Sequence, residues 1–243
     1  MADDSPHSPA PVRPVTSLDD PRALQILSTE HWSQLTNRSL AYNEAFVRGG
    51  MFLTFMSMSF VALALLAQGM SFGDSFLTVA AVVLAFDLVI GLATYGRIAG
   101  ANVDDLRALH GMARIRHGYT EIAPIVAPYL TAATHDDIDS VLTAYGTMPT
   151  TALGTAWYAL TTSGGMIGLI VSMVGGVLAA VLALLIGVSG GLPVLIGVFG
   201  FLVVFGLLVV VTFGSVERHQ DELTVLFPAT VKPSGTDSEA SKS

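Results

Sequence analysis

Residues 140–216 contain no Asp, Glu, Lys, Arg or His. A bilayer-spanning helix needs about 20 mostly apolar residues, so this stretch has room for two spans and a connection. The same contrast appears upstream. Residues 51–69 are apolar, and residues 76–96 are apolar apart from Asp87. Charges crowd into residues 1–48, 97–139 and 217–243. The pattern predicts spans at 51–69, 76–96, 158–186 and 194–212, with short links at 70–75 and 187–193. The expected fold class is all-α: an integral membrane protein with four transmembrane helices in two hairpins, a helical cytoplasmic N-terminal segment and a central loop.

The flanking segments have their own periodicity. Asp20-Pro21 reads as a helix start, with Asp20 as N-cap and Pro21 in the first turn. Leu24, Leu27, Trp32, Leu35, Tyr42 and Phe46 then recur at roughly helical spacing. Residues 21–48 are therefore expected to form an amphipathic helix, with Ser28-Thr29 a candidate break. Span two is expected to stay helical beyond Arg97 to about His117. Pro124 and Pro128 reduce residues 119–130 to short helical turns. Thr134 reads as the cap of a helix that carries Asp136 and Asp137 in its first turn and runs to about Tyr145. Gly146 and Pro149 end that helix, and Trp157-Tyr158 sits where an aromatic belt would precede span three. The expected divisions are a disordered tail at 1–20, the amphipathic helix at 21–48 and the first hairpin at 49–96. A cytoplasmic helical region follows at 97–157, then the second hairpin at 158–213 and a tail at 214–243.

Composition agrees with this division. Charged residues make up 12% of the 243, against about 25% in soluble domains. Every Lys and Arg lies before span one, between spans two and three, or after span four. Positive residues stay on the cytoplasmic side near span ends, so both termini are expected in the cytoplasm. Residues 1–20 are acidic and proline-rich, without the apolar core of a signal peptide. Arg in excess of Lys, with heavy use of Ala, Gly and Val, points to a bacterium with a GC-rich genome and hence to its plasma (inner) membrane. A net charge of −8 and the lack of a dense basic cluster argue against nucleic acid as a partner. The chain has no cysteine, which excludes disulfides, thiolate metal sites and cysteine nucleophiles.

Asp87 is the first candidate for chemistry. An ionised acid near the middle of a span costs about 2.5–3.5 kcal/mol on insertion scales, and no Lys, Arg or His stands within any span. It reads either as a proton or cation site or as a protonated acid that hydrogen-bonds to another helix. Depth counting puts Ser57 and Ser59 of span one at its level, so those hydroxyls are the expected partners. Gly164, Gly168, Ser172, Gly176 and Ala180 recur at intervals of four, and span four adds Gly197, Gly200 and Gly206. Small residues at that spacing let helices approach closely, within the chain or between copies. Arg97, Arg107, Arg114 and Arg116 follow span two, with His110 and His117. They read as contacts to anionic lipid headgroups, or as positive-inside charge paired with Asp104 and Asp105.

Two further clusters are weaker. His135-Asp136-Asp137 offers carboxylates to a hard cation on paper, but three consecutive positions on a helix start diverge, so a solvated helix cap is the expected role. Glu30, Asn37, Arg38, Asn43 and Glu44 could form a polar network against the cytoplasmic helices, or an exposed face. There is no phosphate loop, G-x-S-x-G or H-E-x-x-H. No catalytic residue, cofactor or metal ligand is expected.

The runs TEHWSQLTNRSLAYNEAFVRGGMFLTFMSMSFVALALLAQ, MARIRHGYTEIAPIVAPYL and THDDIDSVLTAYG together resemble an uncharacterised family of four-helix integral membrane proteins from actinobacteria and relatives. The resemblance covers about residues 24–215. It implies that the cytoplasmic segments belong to the family pattern, and it carries over no site residue. The expected role is a non-enzymatic scaffold, sensor or binding protein that contacts the lipid bilayer and self-associates as a homo-oligomer. The alternative is a small channel or transporter with Asp87 in the pathway.

Overall fold

A computed structural model of the chain describes residues 15–70, 73–143, 151, 154, 160–222 and 224–229. All regular elements among them are helical. Four helices are long and apolar enough to cross a membrane, which makes the chain a multi-pass membrane protein.

Helix α1 spans Pro21–Met70 and α2 spans Asp74–Ile122, with 50 and 49 residues. At 1.5 Å per residue each is about 75 Å long, more than twice the roughly 30 Å hydrocarbon core. Each must therefore continue well outside the bilayer. The Asp20 carboxylate accepts the Arg22 backbone N–H at 2.9 Å and so caps α1 as its sequence predicts. The expected break at Ser28-Thr29 does not occur. The Thr29 hydroxyl donates back to the Gln25 carbonyl and is satisfied without interrupting the helix.

Helix α2 runs past His117 to Ile122 and stops ahead of Pro124, which disfavours helical geometry in the residue before it. A 3-10 helix, Pro124–Tyr129, follows. Helix α3 is short, Ile138–Leu142. Its cap is Asp137, not Thr134: the Asp137 carboxylate accepts the Ser140 N–H at 3.0 Å. Tyr145, Gly146, Pro149, Trp157 and Tyr158 lie outside the described residues. Helix α4, Ser163–Leu185, is capped by the Thr162 hydroxyl, which accepts the Gly165 N–H. Helix α5 is Leu192–Glu222 and continues beyond the expected end of span four near Thr212. The turn between α4 and α5 uses Gly187 and Gly190 at φ of +84° and +75°, a region that L side chains avoid.

The long helices pack in a row: α1 on α2, α2 on α4, and α4 on α5. Phe52, Tyr95, Ile98, Ile167, Val171 and Leu208 form the main core. A second cluster joins Leu106, Leu109, Met112 and Ala113 of α2 to Val141 of α3.

The small-residue row of α4 serves two neighbours. A Cβ at Gly168 would stand 2.8 Å from Tyr95 of α2, and one at Gly176 would stand 2.7 Å from the Gly197 carbonyl of α5. Four-residue steps advance about 40° around a helix. Two such steps, from Gly168 to Gly176, therefore turn the row from α2 to α5. Gly200 closes on Ala179 from the other side, whereas Gly206 has open space.

Candidate functional site

Asp87 sits on α2 with no exposure. The Ser59 hydroxyl of α1 donates to its Oδ1 at 3.0 Å. Oδ2 has no hydrogen-bond partner among the described residues. Ser57 does not share the site. It is exposed, and its hydroxyl donates to the Leu53 carbonyl of its own helix. Two residues differ by about 200° around a helix, so only one of the two serines can face α2.

One turn along, a Cβ at Gly91 would meet Val171 at 2.8 Å and Phe52 at 3.0 Å. Phe52 and Val171, which meet at Gly91, are buried, as is Leu84, about one turn from Asp87 on α2. The neighbouring hydroxyls do not extend a polar path. Ser172 donates to Gly168 and Thr94 to Ile90, each within its own helix. The arrangement gives one acid, one interhelical hydrogen bond and one carboxylate oxygen with unused acceptor capacity.

The charged layer beyond the spans is more extensively bonded. Arg38 of α1 pairs with Asp105 of α2, which is buried, and the Tyr42 hydroxyl donates to Asp105 at 2.9 Å. Burial and this hydrogen bond push the Tyr42 phenol above its ordinary pKa. Glu44 of α1 accepts from Arg97 of α2 at 2.8 Å and from Arg48 at 2.9 Å. Those hydrogen bonds, Arg97 first, lower the Glu44 pKa to about 2. Of the expected polar network, Arg38 and Glu44 cross to α2. Glu30 instead accepts from Gln34 on the same helix, and Asn37 and Asn43 are exposed.

The third node joins α2, the loop before α3 and the segment after α5. Asp136 has no exposure, and its carboxylate accepts from the backbone N–H groups of Leu226 at 2.9 Å and Phe227 at 2.7 Å. Arg114 Nε donates to it at 2.7 Å, and Arg114 also donates to the Thr224 carbonyl. Asp137 accepts from Ala229 N–H at 2.9 Å, and the Asp136 N–H donates to the Phe227 carbonyl at 3.1 Å. The His117 ring stacks on Phe227 at 4.1 Å. Burial raises the Asp136 and Asp137 carboxyls, but the hydrogen bonds outweigh it and both titrate below the ordinary range.

This corrects the expectation that Asp136 is a solvated cap: it is a buried clasp for residues 224–229. Beside it, His110 is 3% exposed, and neither ring nitrogen has a hydrogen-bond partner among the described residues. Burial holds its pKa below the ordinary value against the opposing pull of Asp136.

The expected headgroup arginines divide accordingly. Arg97 is held by Glu44, Arg107 by Asp104 and Arg114 by Asp136. Arg116 is half-buried near Arg38, and burial lowers its pKa. Pairing within the chain accounts for the first three. Sequence reasoning missed Asp136 as a clasp and Tyr42 as a partner of Asp105. Tyr42 belongs to the apolar series that predicted the amphipathic helix, a signal that could have placed it against a neighbour, but nothing local marked Asp136.

No family profile matches the chain, and no curated protein or solved structure matches it.

Proposed function

We propose that the chain is a bacterial plasma-membrane protein, with both termini in the cytoplasm, that works as a self-associating scaffold, sensor or binding protein without an enzymatic step. Its place in the four-helix actinobacterial family and the two-hairpin topology are part of the same proposal. The observation that carries it is the continuity of α1 and α2. Each runs unbroken from the apolar layer into the charged layer. There the two are tied together by Arg38–Asp105 and Arg97–Glu44. A displacement of the charged layer is thereby coupled to the membrane helices.

A small channel or transporter is the second reading, and the unpartnered Asp87 Oδ2 favours it. The complete burial of the acid and its hydrogen bond from Ser59 of α1 support a structural role instead. Proton flux into liposomes separates the two, measured on the wild type and on Asp87→Asn. Flux that is present in the wild type and abolished by Asp87→Asn would sink the scaffold reading. On the proposed reading Asp87→Asn assembles normally, since the amide can still accept from Ser59. Asp87→Leu should lose about 1 kcal/mol in thermal unfolding, the scale of an intramembrane hydrogen bond.

The topology has its own test, because the chain lacks cysteine. Ser189→Cys, in the exposed turn between α4 and α5, should react with an impermeant thiol reagent added outside intact cells. Ser17→Cys and Val225→Cys should react only after the membrane is opened. Labelling of Val225→Cys from outside would refute the C-in orientation.

A further inference from the structure

We infer that His110 makes the attachment of residues 224–229 sensitive to mild acid: the segment is held at neutral pH and released as protons become available to the ring. The signal read is the proton itself. The inference stands whether or not the chain self-associates.

The clasp is built on one row of α2. His110, Arg114 and His117 stand at i, i+4 and i+7, so they share one face of the helix. Arg114 donates to Asp136 and to the Thr224 carbonyl, and the His117 ring stacks on Phe227. His110 is the buried end of that row, and neither ring nitrogen has a partner among the described residues. A neutral imidazole has one donor and one acceptor to satisfy, whereas imidazolium has two donors and a charge. A site that satisfies neither nitrogen therefore tolerates the neutral ring better than the cation.

The charges that face the ring do not reverse this preference. Asp136 and Asp137, before α3, attract a proton to it, and Arg114 on its own helix repels one. Residues 224–229 carry no charged side chain. Asp136 is already engaged by Arg114 and two backbone N–H groups. Burial outweighs its pull and holds the ring below the ordinary value of 6.5. The ring meets water when the loop at Asp136 and Asp137 lifts from α2. Those carboxylates hold the N–H groups of Leu226, Phe227 and Ala229, so the same movement frees the segment.

The direction with pH follows. Above about pH 6.5 neither the closed nor the opened form takes up a proton at His110, and the clasp keeps its full strength. Between that value and the lower one of the closed form, only the opened form takes up the proton. Opening is then favoured by up to about tenfold for each pH unit. Asp136 and Asp137 stay ionised throughout this range, since both titrate below 3.8.

Amide exchange of the full-length chain in detergent tests this, read at Leu226 and Phe227 against unprotected amides at the same pH. From about pH 7.5 to about pH 5.5 the wild type should lose roughly threefold to tenfold of its protection. His110→Phe and His110→Met fill the site without a titratable group, so each should keep its protection within about twofold. His117 meets Glu121 at 3.4 Å and His135 lies 6.1 Å from His117. His117→Phe and His135→Gln should still show the loss, which separates His110 from these two. Equal protection of the wild type at both pH values would overturn the inference. A loss that persists in the His110 variants would do the same. Failure of both His110 variants to fold at neutral pH would also count against it, because the ring would then be held by polar contacts.

Discussion

Replacing Asp136 by alanine should release residues 224–229 from the charged layer and lower stability by about 2–3 kcal/mol. The magnitude follows from the site. Removing one partner of a buried ion pair costs about 3–5 kcal/mol, and the partner Arg114 is one-third exposed, which lets water recover part of the loss. Leu226 and Phe227 N–H lose their acceptor in the same step. Thermal unfolding in detergent should show the loss, and amide exchange at Leu226 and Phe227 should rise towards that of unprotected amides. Unchanged exchange would mean that the clasp does not hold the segment.

The clasp also has a predicted acid limit. Asp136 and Asp137 titrate below the ordinary carboxylate value of 3.8. Their contribution is therefore complete above about pH 3.9 and is lost as pH falls through the lower folded values. Amide protection at Leu226 should decline in that window in the wild type. Asp136→Ala should begin unprotected and show no such decline.

Gly176→Leu should be the most damaging change within the spans. Even a Cβ at this position would stand 2.7 Å from the Gly197 carbonyl oxygen and 3.0 Å from Phe201. The first obstacle is backbone, which cannot rotate away, so α4 and α5 must separate. Overpacking typically costs about 1–3 kcal/mol and occasionally more. A value at or above the top of that range is expected here, read as lost yield and a lowered unfolding temperature in detergent. Val177→Leu, at a position 44% exposed, should change neither by more than about 0.5 kcal/mol. Equal effects at the two positions would show that α4 and α5 do not meet at Gly176.

The spans were legible because hydropathy and the placement of charge act over whole segments. Long-range polar contacts were not. Asp136 and Phe227 are far apart in sequence, and a carboxylate at a helix start has a sufficient local explanation in the helix dipole. That local reading concealed the clasp. Ser57 and Ser59 failed differently: counting residues gives depth in the membrane but not direction around the helix, and only Ser59 faces Asp87. The expected break at Ser28-Thr29 is absent because the helix continues through it, with the Thr29 hydroxyl satisfied by the Gln25 carbonyl one turn back. The glycine row was visible as a packing surface. Its division between α2 and α5 needed the helix positions.

Subunit counting is the most direct measurement of the account as a whole. The full chain, carrying one fluorophore per copy, is imaged in native membrane vesicles at low density, and photobleaching steps are counted for each spot. The account predicts two or more steps per spot, with the number unchanged as expression is lowered. Single steps at every expression level would contradict it.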